Sequence, residues 1–148
     1  MSHVVVIKTK LNDLAAIKAA CVRLGWTFCE GKKSYEWFGR WVNDYHGEDA
    51  AYQNGMKVED YGKCDHAIKV PGAKYEIGLV KQADGTYQPI WDNWPAGGLQ
   101  GLKNENGMEG FLQAYAIERA KGEARKKGFS TSEVKEAGGR VRLIVNAR

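Results

Sequence analysis

The strongest constraint on the fold is a pair of matched ends. Near the C-terminus, Met108, Phe111, Leu112 and Tyr115 recur at three- and four-residue spacing, and Ala116, Ala120 and Ala124 continue the run. Apolar side chains at that period share one face, so residues 108–127 read as a long helix lying on an apolar surface. Asn106 and Glu109 form a start signal resembling a capping box; Gly128 follows Arg125, Lys126 and Lys127, with Phe129 placed for the apolar contact that accompanies such a stop. At the other end, the β-branched run of residues 4–7 reads as a central strand covered on both faces. A shorter helix follows it, capped by Asn12 or Asp13, lined by Leu14, Ile17, Cys21 and Leu24, and stopped by Gly25.

Strand signals fill the interval. Residues 26–30 suit a second strand, and residues 66–70 and 75–81 suit two more around the Pro71-Gly72 turn. Asp84-Gly85 closes a hairpin onto residues 86–91, where Pro89 places the arm at an edge or a bulge. Residues 94–101 contain one proline and three glycines and read as a loop with freedom to move. A closing hairpin spans residues 131–135 and 140–145, with Val141, Leu143 and Val145 on one face and Arg140 and Arg142 on the other. The aromatics Tyr35, Trp37, Phe38, Trp41 and Tyr45 fit neither period, and residues 46–65 are polar, with a short helix expected near 57–61. The expected fold is α+β and two-layered: a mainly antiparallel sheet with two helices on one face. It occupies a single domain, 1–148, with residues 35–62 as an insertion or surface excursion.

Composition sets further limits. A chain of 148 residues that is 43% hydrophobic can build a core. No apolar run approaches the roughly 18 residues of a membrane span, and Cys21, Cys29 and Cys64 are too few and too irregular for a disulfide framework. A cytoplasmic protein is expected, in the host cytoplasm if the chain is viral. The net charge of +4 is uneven: residues 1–117 hold 13 basic and 14 acidic side chains, a net of −1, whereas residues 118–148 hold 9 and 4, a net of +5. Such a basic end can attract an anion, but it equally serves as the solvated end of a helix.

Several segments together carry a resemblance. They are Met1-Ser2-His3, Tyr75-Glu76-Ile77-Gly78, Asp84-Gly85-Thr86-Tyr87, Trp91-Asp92-Asn93-Trp94, Gln113-Ala114-Tyr115-Ala116 and Gly139-Arg140-Val141-Arg142-Leu143. The chain resembles a family of uncharacterised proteins known from plastid and cyanobacterial hypothetical reading frames, with similar proteins in other bacteria and in tailed phages. The resemblance covers nearly the whole chain except residues 35–62. It supports the fold boundaries and implies no catalytic residues, because the family has no assigned function.

Three constellations carry chemistry. Cys64-Asp65-His66, with Cys29 and His46 more distant, offers metal-ligating types without the second paired spacing of a zinc site, so no metal and no cofactor is expected. Asp44, His46, Glu48 and Asp49 supply proton-transfer groups, and a small hydrolase using His46 or His66 is the third expectation; no nucleophile elbow or phosphate loop accompanies them. The segment Lys32, Lys33, Tyr35, Trp37, Arg40 and Trp41 interleaves cations with flat rings, which suits phosphate neutralisation beside base stacking. The leading expectation is therefore a non-enzymatic binding protein for an anionic, base-containing ligand, either a nucleotide-like small molecule or single-stranded nucleic acid. The second is a protein-interaction or homo-oligomeric assembly module that uses the same aromatics as contacts.

Overall fold

The computed structural model describes residues 10–37, 62–99, 102 and 108–146, together with the backbone of residues 4–6. Strand β1 (Val4–Val6), helix α1 (Leu14–Leu24) and strand β2 (Thr27–Cys29) are followed by β3 (His66–Lys69), β4 (Glu76–Lys81) and β5 (Tyr87–Asp92). Helix α2 (Met108–Lys126) and the hairpin β6 (Ser130–Lys135) and β7 (Val141–Asn146) complete the order. Among the described residues, β1-β5-β4-β3-β2 form an antiparallel sheet and β6-β7 a separate two-stranded one. The fold is α+β, as expected. The short helix expected near 57–61 and the Asn106 cap lie outside the described residues.

Both helices end as their sequences dictate. Asp13 Oδ1 accepts the Ala16 N–H at 3.1 Å at the start of α1. At its end, Gly25 takes φ 74, its N–H reaches Val22 O, and the Trp26 N–H reaches Cys21 O, the paired bonds of a Schellman stop. Gly128 and Phe129 repeat the motif on α2, bonding to Arg125 O and Ala124 O. Tyr115 joins the helices: its hydroxyl accepts the Asn12 and Asp13 N–H groups at 3.0 and 3.1 Å and donates to Asn12 Oδ1.

The main core lies between the helices and one face of the sheet. Ile17, Ala20 and Cys21 of α1 and Phe111, Ala114 and Tyr115 of α2 are buried with Ile68, Ile77, Leu79 and Trp91 from the strands. Leu14, Leu24 and Leu112 pack against them half-buried, and Trp26 stacks on Phe111 with ring centroids 5.6 Å apart. Trp91 is fully buried in this core. The opposite face is covered too: Tyr35 and Cys64 are buried there with Ala67 and Ile90, and Trp37 packs against them.

Three expectations change. β1 is not central but lies at one edge of the described sheet, paired only with β5. A continuous apolar run signals covered faces and says nothing about how many strands bond alongside. Second, residues 94–99 are docked: Pro95–Gly97 form a 3-10 turn, Gly97 O accepts from the Lys74 and Tyr75 N–H groups, and Leu99 is buried. The Tyr75 ring occupies the space where a Gly97 side chain would stand, so glycine here permits close packing rather than motion. Third, Val141 and Leu143 are half-buried but Val145 is exposed. Pro89 sits as expected, where the register changes between the Val6–Ile90 pair and the Leu11–Tyr87 bridge.

Candidate functional site

The second face of the sheet carries a polar row. The registers align Thr27 with Lys69 and Lys69 with Glu76, so these three side chains, from β2, β3 and β4, emerge on one side. The segment that covers this face is stitched in place by its backbone. Tyr35 N–H bonds to Gly62 O and Cys64 N–H to Lys33 O, while the Glu76 N–H donates to Glu36 O. The Tyr35 ring lies flat on Gly78, where any side chain on β4 would collide with it. Gly31, which opens the segment, is held by its N–H donating to His66 Nδ1 at 2.9 Å.

This stitching leaves a groove of about 520 Å³ between the covering segment and the turn joining β3 to β4. Lys32, Lys69 and Lys74 bring three ammonium groups to it, Thr27 and Glu36 add polar walls, and Glu76 lines it from within. Val70, Pro71 and Ala73 give it an apolar side. Glu76 is 2% exposed, and its Oε1 accepts from Lys32 Nζ at 2.6 Å and from the Glu36 N–H at 2.9 Å. The hydrogen bond to Glu76 raises the Lys32 pKa. Among the described residues neither Lys69 nor Lys74 makes an ion pair, so their charge faces outward uncompensated.

Of the six residues expected to bind a ligand, Lys32 lines this groove, Lys33 is exposed with Nζ 4.0 Å from Asp65, and Trp37 is half-buried against Gly62. Tyr35, at 2% exposure, is committed to the sheet with its hydroxyl accepting the Gly62 N–H, so its ring faces cannot stack on a base. Arg40 and Trp41 lie outside the described residues, as do Asp44, His46, Glu48 and Asp49. Sequence reasoning missed Lys69, Lys74 and Glu76. Its available signal was a carboxylate at 76 on the same strand face as Gly78 and Val80, just past a turn flanked by two lysines.

Cys64 and His66 are held in structural contacts. Cys64 Sγ donates to Lys32 O at 3.2 Å, and burial pushes its thiol pKa up to about 11. His66 stands between Phe28 and Tyr87, 5.4 Å from each ring; burial lowers its pKa, and its Nδ1 is already taken by Gly31. Among the described residues no group of three His, Cys, Asp or Glu side chains could hold a metal ion. No described helix is long and apolar enough to cross a membrane.

The chain belongs to a family described as protein of unknown function (DUF1257), whose model matches residues 45–144. That span includes β3 to β7 and with them Lys69, Lys74 and Glu76, whereas Lys32 precedes it. No curated protein and no solved structure matches the chain.

Proposed function

We propose that the protein is a non-enzymatic binding protein whose groove takes an anionic, base-containing ligand, a nucleotide or a segment of single-stranded nucleic acid. One observation carries this reading: Lys69 and Lys74, uncompensated among the described residues, converge with Lys32 on one groove. Its volume of about 520 Å³ falls within the usual range of small-molecule sites. The lysines supply cations that neutralise phosphate. A distribution of the family across plastids, cyanobacteria, other bacteria and tailed phages is compatible with such a ligand.

Fluorescence titration with a nucleotide panel and short oligonucleotides tests the reading. The wild-type protein is expected to bind at low salt, and the double variant Lys69→Ala/Lys74→Ala to bind more weakly with a flatter salt dependence. For a single strand the slope should fall by about 1.4, roughly 0.7 for each lost phosphate contact. Absence of wild-type binding at low salt would overturn it.

A second reading, an assembly module, is favoured by the β6–β7 hairpin. Ile144 is 37% and Val145 49% exposed on β7, next to the exposed Phe129, in a sheet of only two described strands. A fixed oligomer by light scattering, dissociated by Val145→Lys and indifferent to nucleotides, is the outcome that reading predicts.

A further inference from the structure

Glu76 is not explained by the lysine groove as an anion site alone. A carboxylate repels a phosphate, and burying it costs free energy unless each oxygen finds a partner. Oε1 has two, the Lys32 ammonium and the Glu36 N–H. Oε2 is buried and has no hydrogen-bond partner among the described residues. Trp91 Nε1, Asn93 Oδ1 and Glu118 Oε2 are likewise buried without a hydrogen bond, but of these four residues Glu76 lines the lysine groove.

We infer that Glu76 is the specificity-determining residue of this groove, its Oε2 accepting a hydrogen bond from a donor that the ligand carries a short distance from its phosphate. The inference rests on the groove being the ligand site. Because Lys32 and Glu36 hold the carboxylate through Oε1, its orientation is set before the ligand arrives. One oxygen remains, so the contact reads a single donor. The N–H of a base edge and a ribose hydroxyl share that chemistry. A phosphate without a donor leaves Oε2 unpaired, and a ligand presenting an acceptor there meets electrostatic repulsion. The lysines thus hold any phosphate, while Glu76 separates nucleotides from inorganic phosphate and from nucleotides whose donor is blocked.

The direct test compares pyrophosphate with nucleoside diphosphates in titrations of wild-type protein and Glu76→Gln. The glutamine carbonyl keeps the bonds from Lys32 and Glu36, and its NH₂ then replaces Oε2 with a donor of similar size. Nucleotide affinity should fall on the order of tenfold to a hundredfold, as expected for a lost hydrogen bond to a charged group, while pyrophosphate affinity holds or rises, because neutralising the carboxylate removes its repulsion of phosphate. An equal change for both ligands, or none for either, overturns the inference. A second arm removes the donor from the ligand and uses only wild-type protein, so it stands even if the variant fails to fold. N-methylated bases and 2′,3′-dideoxy sugars are titrated in turn, and the analogue that loses affinity identifies the donor as base or sugar. If every analogue binds as the parent does, the inference fails while the groove proposal survives; if neither pyrophosphate nor nucleotide binds wild-type protein, the groove proposal fails with it.

Discussion

At the scale of single residues, contacts between rings and glycines fix the face that bears the groove. Tyr35 covers Gly78 on β4, its hydroxyl accepts the Gly62 N–H at 3.2 Å, and Trp37 packs where a Gly62 side chain would stand. Tyr35 therefore cannot retreat from an added methyl group without losing a buried hydrogen bond. Gly78→Ala should destabilise the protein by about 1–3 kcal/mol in urea denaturation, the usual cost of overpacking. Combining it with Tyr35→Leu should cost less than the two single changes added together, because the smaller side chain vacates the contested space. Strict additivity would mean that the ring and the strand do not press on each other. Tyr35 also shows where local reading of the sequence stops. An aromatic residue between Lys33 and Arg40 has the composition of a binding segment, and only the long-range fold turns this ring into core.

At the scale of elements, two connections decide stability. Phe111 of α2 stacks on Trp26, which lies between the Gly25 stop of α1 and β2, so the helix pair and the sheet share one contact. Phe111→Ala should cost about 3–5 kcal/mol, measured by denaturant unfolding, and a loss within experimental error would remove α2 from the core. The β6–β7 hairpin is anchored electrostatically: Glu133 pairs with Arg23 of α1 and with Lys121 of α2. The bond from Arg23 comes first in lowering the Glu133 pKa from its usual 4.5 to about 2. A carboxylate with a depressed folded-state pKa contributes its full stabilisation above pH 4.5 and loses it progressively as pH falls to about 2. Amide protection in β6 and β7, corrected for the intrinsic pH dependence of exchange, should fall across that window in wild type, and Glu133→Gln should largely remove that fall. An identical acid profile in the variant would show that the anchor lies elsewhere.

At the scale of the whole molecule, the elements were legible in the sequence and their meeting was not. Hydrophobic period and the Gly25 and Gly128 stops gave α1, α2 and the strands within about a residue, since those signals are local. The edge position of β1 and the meeting of Lys32 with Lys69, Lys74 and Glu76 depend on pairing between distant segments, which no short window encodes. Lys32 was recognisable as a binding candidate from its neighbours, whereas Lys69 read only as part of a strand and Lys74 only as part of the turn after it. The groove is thus a product of topology: three antiparallel strands supply its floor, and a covering segment held by Glu76 supplies its wall. The central claim is that ligand binds there. The most direct measurement is a ¹⁵N–¹H correlation spectrum of the assigned protein titrated with a nucleoside diphosphate at low salt. Saturable shifts clustered at Thr27, Lys32, Glu36, Lys69, Lys74 and Glu76, with β6 and β7 unmoved, are the predicted result. Absence of any saturable shift, or shifts confined to the β6–β7 hairpin, would contradict it.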